Sequence, residues 1–382
     1  MKKKIRIIRR VQPASSGVDT AAPARRLIPI KQAGYIVLSF GLLVASAMLF
    51  FVEPELSQPF FGQPFNIYRV SIMALAVIFL LLASTNGWLR AQNEGIASPK
   101  LTKLFKVLSW VVPLLAIIFL TIQLLAPELA VNLIRKESWP FYRTGIFIKA
   151  GLQLVGIVAF VMVARKYARQ RNWLAMVTAI LVAIVLFVMV GEELSWGQRI
   201  FGWATPDSFA SINEQSETNL HNLATQVFQN TLYFGGWLLL IGLAFWRQSL
   251  AGVLQQFKPL RFLSDWLPPI AFVLIFAPAF GFCDPLHSET GIYYGSNLFI
   301  VIATLVILIA MCIKYVHARD NRMVKRVLVI TAAYLAILIG NLFFSKVWDV
   351  NSGAATEYLE VFISAGLALW AISVNLSMSS KK

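Results

Sequence analysis

The sequence predicts an all-α fold, a polytopic transmembrane bundle of about ten helices with both termini in the cytoplasm. Three observations predict it. Apolar residues fill 58% of the 382 positions and charged residues only 14%, against about 45–50% and about 25% in soluble domains. The apolar residues gather in runs of roughly 20, the length that crosses a bilayer as a helix. None of these runs alternates polar and apolar positions as a barrel strand does. A disordered chain, a disulfide scaffold and an ordinary cytosolic enzyme are thereby excluded.

Residues 1–31 carry nine Lys and Arg among polar and small residues and read as a disordered cytoplasmic tail. The first apolar run is longer than a signal-peptide core of about 7–15 residues and reads as a signal anchor. Residues 32–382 read as one transmembrane domain. The predicted spans are 33–52, 67–85, 105–126, 145–164, 173–191, 223–246, 267–283, 293–313, 324–345 and 357–377. No internal repeat or low-complexity tract interrupts them. The longest outer loop, 192–222, contains Thr205-Pro206-Asp207, a helix start with a capping hydroxyl, a proline and an acid at the positive dipole end. A short helix there, with Trp203, Phe209 and Ile212 nearby, fits a segment lying along the membrane surface.

Lys and Arg set the orientation. With the N-terminus inside, 27 of the 34 fall in cytoplasmic segments and adjoining helix ends. The net charge of +16 is thus mostly a feature of one membrane face, which points away from nucleic acid. Cys283 and Cys312 fall near opposite faces, so they do not form a disulfide. The acids show the opposite bias: 14 of the 18 lie outside, which the rule for basic residues does not require.

Four outer clusters hold the residues able to do chemistry. The first is Gly191-Glu192-Glu193-Leu194-Ser195-Trp196-Gly197-Gln198-Arg199. A helix continued through it puts Glu192, Trp196 and Arg199 on one face with Ser195 beside them. Two adjacent carboxylates at an apolar helix end suit a general base. The second is Asn213 to Asn222. Its Glu217 and His221 share a helical face, a spacing that suits two metal ligands or a carboxylate orienting an imidazole. The third is Cys283-Asp284-Pro285-Leu286-His287-Ser288-Glu289, whose turn suits convergence of Asp284 and His287, with Cys283 a further candidate, on one ion. The fourth is Glu357-Tyr358-Leu359-Glu360, where Glu360 lies one turn inside the last span and an acid is costly. Lys149, Gln153 and Asn341 are further polar groups in the outer half. Each cluster also has a structural reading, as a helix cap, an aromatic-belt contact or a solvated loop.

The candidate catalytic residues are therefore Glu192, Glu193, Glu217, His221 and Glu360. Ser195, Trp196, Arg199, Asn219 and Asn222 are candidates for binding substrate. Glu217, His221, Asp284 and His287 are candidate ligands of a divalent metal ion.

The block Glu192-Glu193-Leu194-Ser195-Trp196-Gly197-Gln198-Arg199, followed by Asn219-Leu220-His221-Asn222, resembles uncharacterised bacterial multi-pass membrane proteins. These carry E-E-x-S-W-G-Q-R and then N-L-H-N. The resemblance implies a shared site and a bacterial inner membrane. A looser likeness is to the CPBP intramembrane proteases, with E-E-x3-R, F-x3-H and H-x3-N. Here Arg199 stands two residues too far along, and Phe282 precedes His287 by five positions rather than four.

Three function classes remain open. One is a membrane-embedded hydrolase or transferase acting on a lipid, a lipid-linked group or a membrane peptide, with a carboxylate activating water or a hydroxyl, with or without a divalent metal. The second is a transporter or ion-coupled carrier, and the third a noncatalytic membrane assembly subunit. Membrane lipids are the expected partners. The oligomeric state is left open.

Overall fold

In the computed structural model, residues 99–126, 129, 141–213, 217–220, 223, 225–283, 291–347 and 353–379 are described, and every regular element among them is helical. α1 (Pro99–Leu125), α2 (Phe141–Arg169) and α3 (Trp173–Glu193) are long helices. A 3-10 turn at Ser195–Gly197 leads to two short pieces, α4 (Gln198–Phe201) and α5 (Asp207–Ala210). α6 (Thr225–Trp237) passes through a π-helical stretch, Leu238–Gly242, into α7 (Leu243–Phe245). The chain then bends by 84° at Trp246 into α8 (Arg247–Leu254). A 3-10 turn at Lys258–Leu260, α9 (Arg261–Trp266), α10 (Ala271–Phe276) and a 3-10 run at Ala277–Phe282 make one interrupted segment. α11 (Gly291–His317), α12 (Asn321–Val347) and α13 (Gly353–Ser379) follow.

Among the described residues seven segments are long and apolar enough to cross a membrane, and the bent pair at Trp246 makes an eighth if counted as one span. The chain is an integral multi-pass helical membrane protein. Its spans correspond to the predicted runs from 105–126 to 357–377, while the runs 33–52 and 67–85 and the tail 1–31 lie outside the described residues.

α2 and α3 are antiparallel because only three residues separate them. Arg171 takes a left-handed φ of 56°, and the Asn172 side chain accepts from the Ala175 amide at 3.2 Å to start α3. Ala175, Ala179 and Ala183 then recur at helical spacing on the buried side of α3, and small side chains let backbones approach within a bilayer. α2 also packs along α13, so that it lies between α3 and the last helix.

The interrupted segment Lys258–Phe282 is the most buried of the seven, with 83% of its apolar stretch inside the protein against 28–61% for the other six. Its break follows from Pro268 and Pro269. Proline donates no backbone hydrogen bond, and it pushes the residue before it out of the helical region; Leu267 is extended, at φ −60° and ψ 128°. Carbonyls freed in a bilayer must find donors inside the protein. Trp370 Nε1 donates to the Trp266 carbonyl at 2.6 Å, and an Arg247 guanidinium N–H donates to that of Leu267 at 2.6 Å. The indoles pack around Phe160, with ring centroids 5.4 Å from Trp266 and 4.8 Å from Trp370. Further along, Gly281 must be glycine, because a Cβ there would lie 2.9 Å from the Tyr334 carbonyl oxygen on α12.

Candidate functional site

α3 stops at Glu193, and the chain does not continue as a helix through the next turn. Ser195, Trp196 and Gly197 all have left-handed backbones, with φ of 46°, 54° and 99°. For the two non-glycine residues this conformation costs of order 1–3 kcal/mol each and persists only where its surroundings hold it. The Trp196 ring folds back over Gly191, where a Cβ would approach it to 2.8 Å, and its Nε1 donates to Glu192 Oε1 at 2.7 Å. The Thr218 hydroxyl donates to the Ser195 carbonyl at 2.6 Å.

The predicted single helical face for Glu192, Trp196 and Arg199 is therefore replaced by a turn that still joins them. Arg199 reaches back to Ser195 Oγ through Nε at 3.1 Å and donates to Glu217 Oε2 at 2.6 Å. Glu217 Oε2 also accepts from Ser195 Oγ at 2.8 Å and Asn219 Nδ2 at 2.8 Å. Asn213 holds the backbone of both, accepting from the Glu217 amide at 3.1 Å and donating to the Asn219 carbonyl at 2.8 Å. The Leu220 amide donates to Glu192 Oε2 at 2.7 Å. The first two sequence clusters thus form one network, in which Ser195 is fully buried and its hydroxyl fully engaged. Residues 217–220 are not helical, and His221, the predicted partner of Glu217, lies outside the described residues. The short helix α5 forms where expected, but Thr205 does not cap it; its hydroxyl accepts from Gln198 Nε2 at 2.7 Å. Phe201 and Trp203 stack at 5.4 Å and are exposed.

The second network lies on the other side of the α3 terminus. Lys149, on α2 and buried, has its Nζ 2.9 Å from Glu193, 2.9 Å from Glu357 and 2.7 Å from Glu360. The Tyr233 hydroxyl of α6 donates to Glu360 Oε1 at 3.1 Å. One turn inward the pairing repeats: Gln153 Nε2 of α2 donates to Ser364 Oγ of α13 at 3.3 Å. Three carboxylates around one ammonium leave an excess of two negative charges if all are ionised. Exposure is graded from rim to interior, at 32% for the Glu357 side chain, 19% for Glu193 and 12% for Glu360. A third polar seam joins Gln123 to Asn341 at 3.3 Å, and Asn341 Nδ2 to the Phe282 carbonyl at 3.2 Å.

Of the predicted site residues, Glu192, Ser195, Trp196, Arg199, Glu217 and Asn219 meet in the first network, and Glu193 and Glu360 in the second. His221, Asn222, Asp284 and His287 lie outside the described residues. Among the described residues no group of three or more His, Cys, Asp and Glu side chains is placed to hold a metal ion, and the fourth predicted ligand, Glu217, is held by Arg199, Ser195 and Asn219. Sequence reasoning missed Lys149 as the centre of the acidic cluster. The signal was present: Lys149 and Gln153 are four apart on one helix, and Glu360 and Ser364 four apart on another. Comparison with protein-family models, curated proteins and solved structures finds no match for the chain.

Proposed function

We propose that the protein is a ten-span membrane protein of a bacterial cytoplasmic membrane, with both termini inside and an acid–base site at its extracytoplasmic end. In this reading it is a membrane-embedded hydrolase or transferase acting on a lipid, a lipid-linked group or a membrane peptide. One observation carries the reading. Glu193, Glu357 and Glu360 converge on Lys149 at the end of three spans, in a graded position between water and the bundle interior. Buried ionisable groups inside a membrane are costly and mark function by default. Glu357, at the rim, meets the substrate. Glu193 and Glu360 move the proton of the attacking water or hydroxyl, and Lys149 balances the charge that develops. The Ser195–Arg199–Glu217–Asn219 network positions the outer loop over this site. The outward bias of the acids and the inward bias of Lys and Arg support the orientation.

The test uses protein in nanodiscs of total bacterial lipid extract, with and without membrane-peptide fractions. Products are followed by mass spectrometry for the wild type and for Glu193→Gln and Glu360→Gln. A species that accumulates only with the wild type is the expected result. Identical profiles for all three would overturn the enzymatic reading.

A second reading, an ion-coupled carrier, is favoured by the two interruptions near the bundle core, the bend at Trp246 and the Pro268-Pro269 break, since carriers build their sites on broken helices. Solute or ion flux into proteoliposomes, abolished by Glu360→Gln without any product formed, would select it.

A further inference from the structure

The two polar rungs between α2 and α13 leave a surplus of acceptors. In the outer rung, six carboxylate oxygens face the three protons of Lys149 and the hydroxyl of Tyr233. In the inner rung, Gln153 is 1% exposed and Ser364 3% exposed. The amide spends its N–H on Ser364 Oγ, and its Oε1 is buried with no hydrogen-bond partner. A buried acceptor left in this way keeps the cost of losing its water without a partner to replace it. Acceptor surplus, negative charge surplus and an orphaned amide oxygen are all relieved by the same thing, a cation.

We propose that the Glu360 carboxylate, the Gln153 amide oxygen and the Ser364 hydroxyl form a binding site for a sodium ion, one helical turn inward from Lys149. Four residues along a helix rise about 6 Å. A hard cation with oxygen ligands at about 2.3–2.6 Å spans roughly 5 Å between them, so side chains from successive turns share it by leaning towards one another. Each Glu360 oxygen accepts one hydrogen bond, from Lys149 or from Tyr233, and retains a second lone pair for the ion. One carboxylate with neutral amide and hydroxyl oxygens suits a monovalent ion. Divalent ions draw on several carboxylates, and here Glu193 and Glu357 lie nearer the rim than Glu360. The charged and titratable groups facing the site are Lys149 from α2, Glu193 from α3, Tyr233 from α6 and Glu357 from α13. With Glu193, Glu357 and Glu360 all ionised beside Lys149, the sum is negative and stays so after one sodium ion binds. The site is compatible with either reading of the function, as a resident ion in an enzyme or a coupling ion in a carrier.

The experiment uses the full chain in nanodiscs, in N-methylglucamine buffer at fixed pH. Radioactive sodium binding is measured by scintillation proximity, and melting temperature is followed against NaCl, KCl and choline chloride at equal ionic strength. Wild type is expected to bind sodium saturably, near one ion per chain, and to melt higher only in NaCl. Ser364→Ala and Gln153→Met should raise the half-saturating sodium concentration about tenfold or more, as loss of groups around a metal does. Thr121→Ala, whose exposed hydroxyl bonds only its own helix at Ile117, should leave it unchanged. Absence of saturable binding in folded wild type would overturn the proposal. So would binding unaltered in Ser364→Ala, which removes one atom and keeps the proposal testable should Gln153→Met not fold. Tighter competition by calcium or magnesium, or a melting temperature that responds to pH and not to sodium, would overturn it equally.

Discussion

Glu192 and Glu193 are neighbours on the last turn of α3, yet their carboxylates belong to different networks: Glu192 accepts from the Leu220 amide and the Trp196 indole, and Glu193 meets the Lys149 ammonium. Successive helical positions point about 100° apart, so adjacency in sequence separates them in space. The pair therefore links the loop to the buried cluster through one helix end, and it does not form a shared-proton dyad. Replacing either has a distinguishable outcome. Glu192→Gln should loosen residues 195–220 in hydrogen exchange with little effect at Lys149. Glu193→Gln should alter activity with little effect on loop protection.

Lys149→Met should be among the most damaging single changes. It leaves three carboxylates facing one another without a cation, and breaking a buried pair costs about 3–5 kcal/mol. Glu193→Gln, Glu357→Gln and Glu360→Gln together on that background should restore most of the stability, because the penalty is unbalanced charge. Melting temperature and monodispersity in detergent measure both. A triple replacement that rescues nothing would mean that Lys149 acts through packing instead.

Trp370→Phe keeps an aromatic ring against Phe160 and removes the donor to the Trp266 carbonyl. The expected loss is about 1–3 kcal/mol for the unsatisfied carbonyl, read from unfolding in mixed micelles. Trp173→Phe, on the exposed start of α3, should be neutral.

Gly281→Ala should destabilise the protein by about 1–3 kcal/mol through overpacking against α12, since the added carbon meets the Tyr334 backbone. Gly151→Ala finds nothing within 4 Å, and in mid-helix it should be neutral or stabilising.

Orientation is checked with an impermeant maleimide on a background lacking Cys283 and Cys312. Trp203→Cys should label in intact cells, and Arg171→Cys only after permeabilisation. The reverse pattern would invert the topology.

The spans were legible because a 20-residue apolar run leaves the chain little choice in a bilayer. Their irregularities were less so. Pro268 and Pro269 fall inside the predicted run 267–283, which reads from composition as an ordinary span, since composition does not reveal that Trp370 and Arg247 supply the missing donors. The outer loop shows the same limit. Glu192, Ser195, Trp196 and Arg199 were identifiable as a group, while the left-handed backbone at Ser195 and Trp196 was not, because neither residue type favours it. It is imposed by Thr218 and Glu192 from either side of the turn. Lys149 was visible as a charge inside an apolar run; its three partners come from helices up to 211 positions away, a pairing that one sequence cannot display.

The bond from Trp370 to the Trp266 carbonyl spans 104 residues, and it constrains how the chain is made. A ribosome adding about 5–20 residues per second needs roughly 5–20 s to synthesise that interval. Throughout it, the Trp266 carbonyl beside the proline break lacks its indole donor, while that of Leu267 already has Arg247. The break gains its last donor only when α13 arrives. A chain truncated before α13 should therefore be handed to quality-control proteases even though every earlier span is present.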